Sequence, residues 1–499
     1  MEKSIIIIGA GIAGLSAGCY SQMNGYHTQI FEMHDKPGGL CTAWQRKKYT
    51  FDLCIHWLVG SAPSSGLYQA WRELGALPGQ EIVNIAQFYR VEGTDGRAID
   101  MYTDIDRLEQ HLLEVAPEDA AMIKEATRSM RHFTKFEMSM GKAPELSNAL
   151  DGMKMLFKML PFLGEFRKWG RMMMGEFAER FRNPLLRDAW LRFLPPEMSA
   201  TAMLVTMAGF HQKTQGYPIG GSLVFAKAVE KRYLSLGGTV HYKSPVTKIV
   251  VENDRAVGIQ LADGSEHRAD YVISAADGYT TIFEMLGGKY VDDTVRGSYR
   301  DLPIFEPLIF MGLGVKRSFA DFPQLVTGLL LQLEKPVMIG GQQRDWMTVR
   351  IHNFDPTLAP EGKTAITVMF DSNYPYWESL RKDMKGYRAE KEEIAKTVVE
   401  LLDKRFPGLA SQVEVTDVAT PVTFKRYTGN WQGSFEGWMI TPKTMRLRMK
   451  KTLPGLDLFY MVGQWIQPGG GLPTGAITGR HVTQIICKRD KRPFVTTMP

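Results

Sequence analysis

The chain predicts an α/β fold: a doubly wound parallel sheet joined to a mixed α+β second domain with a helical cap. Three observations predict it. Ile5-Ile6-Ile7-Ile8 is a continuous β-branched run, the pattern of a strand covered on both faces. Gly9-Ala10-Gly11-Ile12-Ala13-Gly14 follows at once and opens a helix-compatible stretch from Leu15 to Asn24. A second strand, His27-Thr28-Gln29-Ile30-Phe31, then ends at Glu32.

Each element has its own physical reason. Gly9 permits the tight turn, Gly11 lets the backbone approach a pyrophosphate, and Gly14 lets the helix pack on the strand. The helix start offers unpaired N–H groups and a partial positive charge to phosphate. Gly9, Gly11, Ala13 and Gly14 are therefore the candidate contacts of this loop, and the carboxylate of Glu32 is placed to accept from both ribose hydroxyls of an adenosine. That carboxylate would repel a 2′-phosphate. Gly38-Gly39 and a short hairpin around Tyr49-Thr50-Phe51-Asp52 come next, where a nicotinamide domain would continue βαβ. The interruption favours FAD over NAD.

At this point the chain resembles the phytoene desaturase, carotenoid isomerase and retinol saturase group of flavoproteins. The residues that carry the likeness are Gly9 to Ala17, Glu32 to Gly39 and Tyr49 to Asp52. Lys48 and Cys54 stand where that group often has glycine. Later blocks also match: Tyr217 to Gly221, Leu236 to Val240, Ser244 to Ile249, and Asp270 to Ala276. Read alone, this stretch is a helix and a β-meander that turns at Asp263-Gly264. The resemblance adds that Val246 offers its backbone to the adenine. Near the end, Phe459 to Gln464 reads as a buried strand before Pro468-Gly469-Gly470-Gly471-Leu472-Pro473, which opens the last helix. The resemblance places Gly463, Gln464, Gly470 and Leu472 beside the cofactor. Carotenoid isomerases usually carry Asp at Gln464, which can hydrogen-bond a ribityl hydroxyl but cannot act as a base.

The resemblance implies a FAD-binding domain of the GR2 type from 1–95, 210–285 and 416–499. A substrate domain takes 96–209 and 286–415, with 150–200 as cap or membrane-facing segment. From Gly152 to Gly175, Met, Leu, Phe and Trp alternate with Lys154, Lys158, Arg167, Lys168 and Arg171, broken at Pro161. Such a stretch can lie in a membrane interface or cap a substrate tunnel with its basic face in water. Both imply an apolar ligand, and the 28 methionines suit an irregular apolar partner.

Composition narrows the classes. With 499 residues and 44% hydrophobic side chains the chain has ample core for several domains. A net charge of +6 at this length is too diffuse for a dedicated nucleic-acid binder. Four cysteines without CxxC or zinc spacing read as free thiols in a reducing compartment, and no metal site is expected. No run reaches the roughly 18 apolar residues of a spanning helix, so a cytoplasmic protein is expected, peripheral on the inner membrane face if it meets one.

For chemistry, no Ser-His-Asp, metal or paired-carboxylate pattern stands out, and a flavin would carry the hydride itself. His56, beside Trp57 after the FD segment, and His211, before the Tyr217 block, are the candidate proton-transfer residues; each could equally be a packed structural histidine. No second glycine-phased βαβ is present for NADPH, so an external electron donor or acceptor is expected: a quinone, a carrier or free flavin. The expected function is a FAD oxidoreductase acting on carbon–carbon double bonds of a polyene or isoprenoid lipid, by desaturation, saturation or cis–trans isomerisation. A flavin amine oxidase-like enzyme and a non-catalytic flavin-bound lipid carrier are the alternatives.

Overall fold

The computed structural model describes residues 3–137, 141–447 and 449–499. Five parallel strands form one sheet in the order Thr239–His241, His27–Phe31, Ser4–Ile8, Tyr271–Ser274, Phe459–Met461. In chain order this is the 3-2-1-4-5 arrangement of a doubly wound fold. The isoleucine run is buried on both sides. Ile5 and Ile7 pack in the cluster that holds Leu15 and Val482 of the helices Ile12–Met23 and Gly471–Arg489. Ile6 and Ile8 pack with Ile249 and Ile259 of the antiparallel meander Val246–Glu252, Arg255–Leu261, Glu266–Arg268. The meander turns through Asp263-Gly264, as the sequence predicts.

The first and last helices lie very close. A methyl group at Gly479 would stand 2.6 Å from Ala17 N, and one at Gly475 would stand 3.2 Å from Ala13 N. Small residues at 475 and 479 therefore bring the end of the chain onto its beginning, and Ser16 Oγ donates across the contact to the Ala476 carbonyl at 2.8 Å.

A second sheet has seven strands in the order Val413–Ala419, Leu308–Val315, Thr364–Asp371, Gln342–Ile351, Leu325–Ile339, Gln87–Glu92, Ala98–Tyr102. Helix Met384–Arg405 covers one face, where Ile394 and Val398 meet Leu313, Val349 and Ile366. The other face receives the hairpin Ala43–Arg46/Tyr49–Asp52 of the first domain. Methyl groups at Gly312 and Gly314 would fall 2.4 Å from the rings of Phe51 and Tyr49, so these glycines are what allow the domains to dock. The sheet takes strands from before residue 95 and from both sides of residue 416. The expected domain edges therefore cut through a β-hairpin and a strand.

Residues 149–211 form a helical layer: Ala149–Met159, Leu163–Trp169, Met174–Ala178, Pro184–Leu191 and Ala200–His211. The first two are separated by a tight 3₁₀ turn, Leu160–Phe162, which contains Pro161. Helix Ala149–Met159 buries no residue, leaving Leu150, Met153, Met155, Leu156 and Phe157 exposed. Among the described residues no helix is long and apolar enough to cross a membrane.

Candidate functional site

The glycine loop, the Gly38-Gly39 pair and Glu32 meet at the ends of the first two strands. Gly38 N donates to the Ala10 carbonyl at 2.9 Å, and Gly11 and Gly38 form an isolated bridge. Gly9 and Gly38 have φ of 96° and 109°, and a methyl at Gly14 would lie 2.0 Å from the Gly9 carbonyl oxygen. A side chain at any of these three positions would clash or be strained. At Gly11 a methyl would find nothing nearer than the Gly38 oxygen at 4.0 Å, so this point of the loop opens outward.

Glu32 is buried, and each of its oxygens is held. Oε2 accepts from Ala10 N at 2.7 Å and Oε1 from His34 N at 2.8 Å. Each oxygen keeps lone-pair capacity for a ribose hydroxyl. The Glu32 backbone bonds to the His241 carbonyl through its N–H, and its own carbonyl accepts from Ser244 N at 2.9 Å. That pairing brings the chain leading to Val246 beside the carboxylate.

Two helix starts converge here, and neither has a side-chain cap. Gly11 precedes Ile12–Met23 and Gly470 precedes Gly471–Arg489. The first four N–H groups of a helix have no partner within it, so these ends present donors and partial positive charge. A methyl at Gly463 would stand 3.4 Å from Ala13 Cβ, which places the tail turn on the glycine loop. Gln464 Nε2 donates to Asn430 Oδ1 at 3.2 Å, and Leu472 is half-buried at the start of the last helix. An outward-facing glycine floor, uncapped helix starts and a carboxylate at the far end fit a phosphate-bearing dinucleotide. Val246 stands on the first meander strand, paired with Leu261.

Beyond the hairpin the site becomes apolar. Trp57, Phe88, Phe193 and Phe210 touch in a chain, with ring centroids 4.6 to 5.6 Å apart. Trp57, Phe435 and Leu472 pack on this core yet remain only partly buried. His56 sits next to Trp57. Burial, and secondarily the Arg350 charge, push its pKa well below the ordinary value. The neutral imidazole is therefore its favoured form. Its loop is pinned by Arg350, which is fully buried and donates to the Ile55 and His56 carbonyls at 3.1 and 3.3 Å. His352, two residues beyond Arg350 at the end of strand Gln342–Ile351, is held low by burial in the same way.

His211 lies elsewhere. Its Nδ1 accepts from Ile105 N at 3.2 Å and stands 3.2 Å from Asp104 Oδ2, closing the start of helix Ile105–Val115. The geometry gives it a structural contact. Asp52 is buried with its Oδ1 accepting from Ser222 N at 2.9 Å, and burial pushes it up to about 6.

One residue in this region has no counterpart in the sequence-based expectations. Glu436 lies on the segment that runs beside the tail turn. A methyl at Gly470 would stand 2.2 Å from the Glu436 carbonyl oxygen, and one at Gly471 would stand 3.3 Å from its Oε1. The carboxyl thus sits against the uncapped helix start. Burial pushes its pKa up to about 7. Its only signal in the sequence is an acid between glycines in Gly433 to Trp438, and nothing in the spacing marks it as special. The groove between the meander and Glu284–Tyr290, about 780 Å³, includes none of these residues.

A family model described as flavin containing amine oxidoreductase matches residues 12–487. Prolycopene isomerase of Arabidopsis thaliana is 25% identical over 95% of this chain and 81% of its own length. A neurosporene-forming phytoene desaturase of Rhodobacter capsulatus is also 25% identical, over 96% of this chain and 93% of that protein. Among solved structures, cyclohexylamine oxidase from Brevibacterium oxydans superposes with a TM-score of 0.61 at 13% identity, covering 99% of this chain and 100% of that one. The last likeness is one of fold.

Proposed function

Since the chain belongs to the flavin-containing amine oxidoreductase family, whose members are FAD-dependent oxidoreductases, we propose that it holds FAD and acts on carbon–carbon double bonds of an apolar polyene. The FAD reading rests on the cradle. Ile12 to Gly14 and the Gly11/Gly39 backbone take the pyrophosphate, Glu32 takes the ribose, and the chain before Val246 borders the adenine. Gly463, Gln464, Gly470 and Leu472 border the flavin end. Bound there, the flavin supplies the hydride donor or acceptor. The chain's own residues then position the lipid and keep water out.

The observation that carries the substrate reading is the row of rings Trp57, Phe88, Phe193 and Phe210 beside the His56 loop. Phe88 and Phe193 stack, the other pairs meet tilted or edge-on, and an apolar wall of aromatic rings suits a flat conjugated chain. Two relatives named for prolycopene and phytoene support the same class. A flavin amine oxidase is the second reading, favoured by the family description. The test is anaerobic incubation of the flavin-loaded protein with phytoene and prolycopene in detergent micelles and with primary amines. Bleaching of the oxidised flavin by phytoene, or flavin-dependent conversion of prolycopene after prior reduction, supports the polyene reading. Bleaching by amines alone rejects it. No second nucleotide cradle belongs to this reading, so electrons pass to or from a quinone, a carrier or free flavin.

The same reading gives the exposed cap a task. Leu150, Met153, Met155, Leu156 and Phe157 are exposed beside Lys154, Lys158, Arg167 and Arg171. Apolar side chains ringed by cations match an anionic lipid surface, from which a polyene would be drawn. Replacing Leu156, Phe157 and Leu160 with Ser should abolish flotation with anionic vesicles while leaving stability within about 0.5 kcal/mol, as for surface positions. Unchanged flotation would reject the membrane contact.

A further inference from the structure

The buried ionisable groups around the site fall into two kinds. Asp52 accepts from Ser222 N, and Asp277 accepts from the Thr280 and Trp431 N–H groups at 2.8 Å each. Glu32 holds two backbone N–H groups, and Tyr217 donates to Asp355 Oδ2 at 2.9 Å. Each of these has a structural assignment. His56 and His352 stay neutral beside Arg350. Glu436 is surrounded by protein yet only half-buried. Among the described residues its carboxyl has no hydrogen-bond partner and no ion pair. An unpaired acid kept inside a protein is costly unless it is neutral or in use.

Among the described residues no charged group acts on it. The groups against it are the Gly470-Gly471 backbone at the helix start, while Gly437, the next residue, packs on Gln464. Burial alone raises its pKa, whereas a helix N-terminus favours the ionised form. The two influences oppose each other, so both protonation states are within reach at neutral pH. Phe435, the preceding residue, and Leu472, next to Gly471, are partly buried apolar side chains.

We propose that Glu436 is the proton-exchange group of this site. The inference rests on the flavin–polyene reading above. In a desaturation, one C–H bond breaks with its electron pair leaving as hydride to the oxidised flavin. The neighbouring C–H bond breaks with its proton passing to the Glu436 carboxylate, and its electron pair becomes the second bond of the alkene. In a saturation the same carboxyl returns the proton. The arrangement needs no histidine.

The test compares wild type with Glu436→Gln and Glu436→Asp as flavin-loaded proteins. The flavin absorption of wild type, followed from about pH 5 to 9, should show one transition near pH 7. That transition should vanish in Glu436→Gln at an unchanged flavin-to-protein ratio, and reappear at a shifted pH in Glu436→Asp. Desaturation of phytoene in micelles should fall roughly 100- to 10,000-fold in Glu436→Gln, the usual contribution of general acid–base catalysis, and lose its pH inflection. A transition that persists in Glu436→Gln, or a conversion rate and pH profile like wild type, overturns the proposal and leaves the flavin reading standing. Wild type purified without flavin and unable to take it up overturns both. Primary-amine binding that disappears with Glu436→Gln would make the residue a cation site and overturn the proton role.

Discussion

The nucleotide cradle and the cap helix are built on opposite rules. Around Gly9, Gly14 and Gly38 there is no spare space: added methyl groups would lie 2.0 to 3.3 Å from backbone atoms. Along Ala149–Met159 there is nothing but space. No side chain of that helix is buried, and neither Gly152 nor Gly164 of the next helix has a neighbour within 4 Å of an added methyl. In the cradle function is a property of the backbone path, so a few glycines at fixed spacing announce it. On the cap function depends on what lies against the helix, and spacing alone is silent about that. The contrast also sorts the effects of substitution.

The largest effect is expected at the tightest contact. Gly14→Ala puts a methyl 2.0 Å from the Gly9 carbonyl oxygen. Backbone must move, at a cost of roughly 3 kcal/mol or more, and the phosphate loop moves with it. The variant should unfold at markedly lower temperature and purify with little flavin. Normal stability and flavin content would mean that the loop is plastic, and the contrast with the cap would collapse.

Glu32→Ala acts on the same cradle through chemistry. It removes the acceptor of two backbone N–H groups and, with FAD bound, of the ribose hydroxyls. Hydrogen bonds to a charged group contribute about 1.5–3 kcal/mol, so FAD affinity should fall on the order of 100-fold, read by titration of the apoprotein. Retention of full affinity would place the ribose elsewhere.

How much of this was legible beforehand follows from the same distinction. The order strand, glycines, helix, strand, Glu32 is local, and it marks the elements that meet in the cradle. The edges at 95 and 416 were not legible, because strand pairing across hundreds of residues decides them: Gln87–Glu92 pairs with Leu325–Ile339, and Val413–Ala419 with Leu308–Val315. His56 and His211 stood out because histidine titrates near neutrality, but burial lowers the pKa of the first and a helix start engages the second. Glu436 has an ordinary residue type in an ordinary run. Only the approach of Gly470 and Gly471, some 35 positions later in the chain, gives it a setting.

Glu436 also leaves a mark on stability that needs no substrate. Its folded pKa, about 7, lies above the ordinary 4.5, so the native state holds a proton that the unfolded chain has already released. Native stability should therefore fall as pH rises from about 4.5 to about 7 and level off above. The loss attributable to this group is on the order of 3 kcal/mol. Glu436→Gln cannot ionise and should be the more stable protein at pH 8, with the two converging below pH 4.5; denaturant midpoints across pH read this directly. Parallel curves would show that water reaches the carboxyl freely, and Glu436 would then belong with the open surface of the cap.

The smallest effect tests the other side of the contrast. Gly152 is interior to helix Ala149–Met159 and would meet nothing within 4 Å if it carried a methyl. In a helix interior glycine is worse than alanine by about 0.5–1 kcal/mol, because its backbone loses more freedom on ordering. Gly152→Ala should therefore stabilise the cap by up to that amount, the opposite sign to Gly14→Ala. Since no side chain of this helix reaches a core, the gain should be confined to it. Hydrogen exchange of its amides should slow several-fold while global unfolding hardly moves. A rise in global stability would mean that the helix unfolds together with the cradle. The chain would then be one cooperative unit, and the two building rules would share one folding transition.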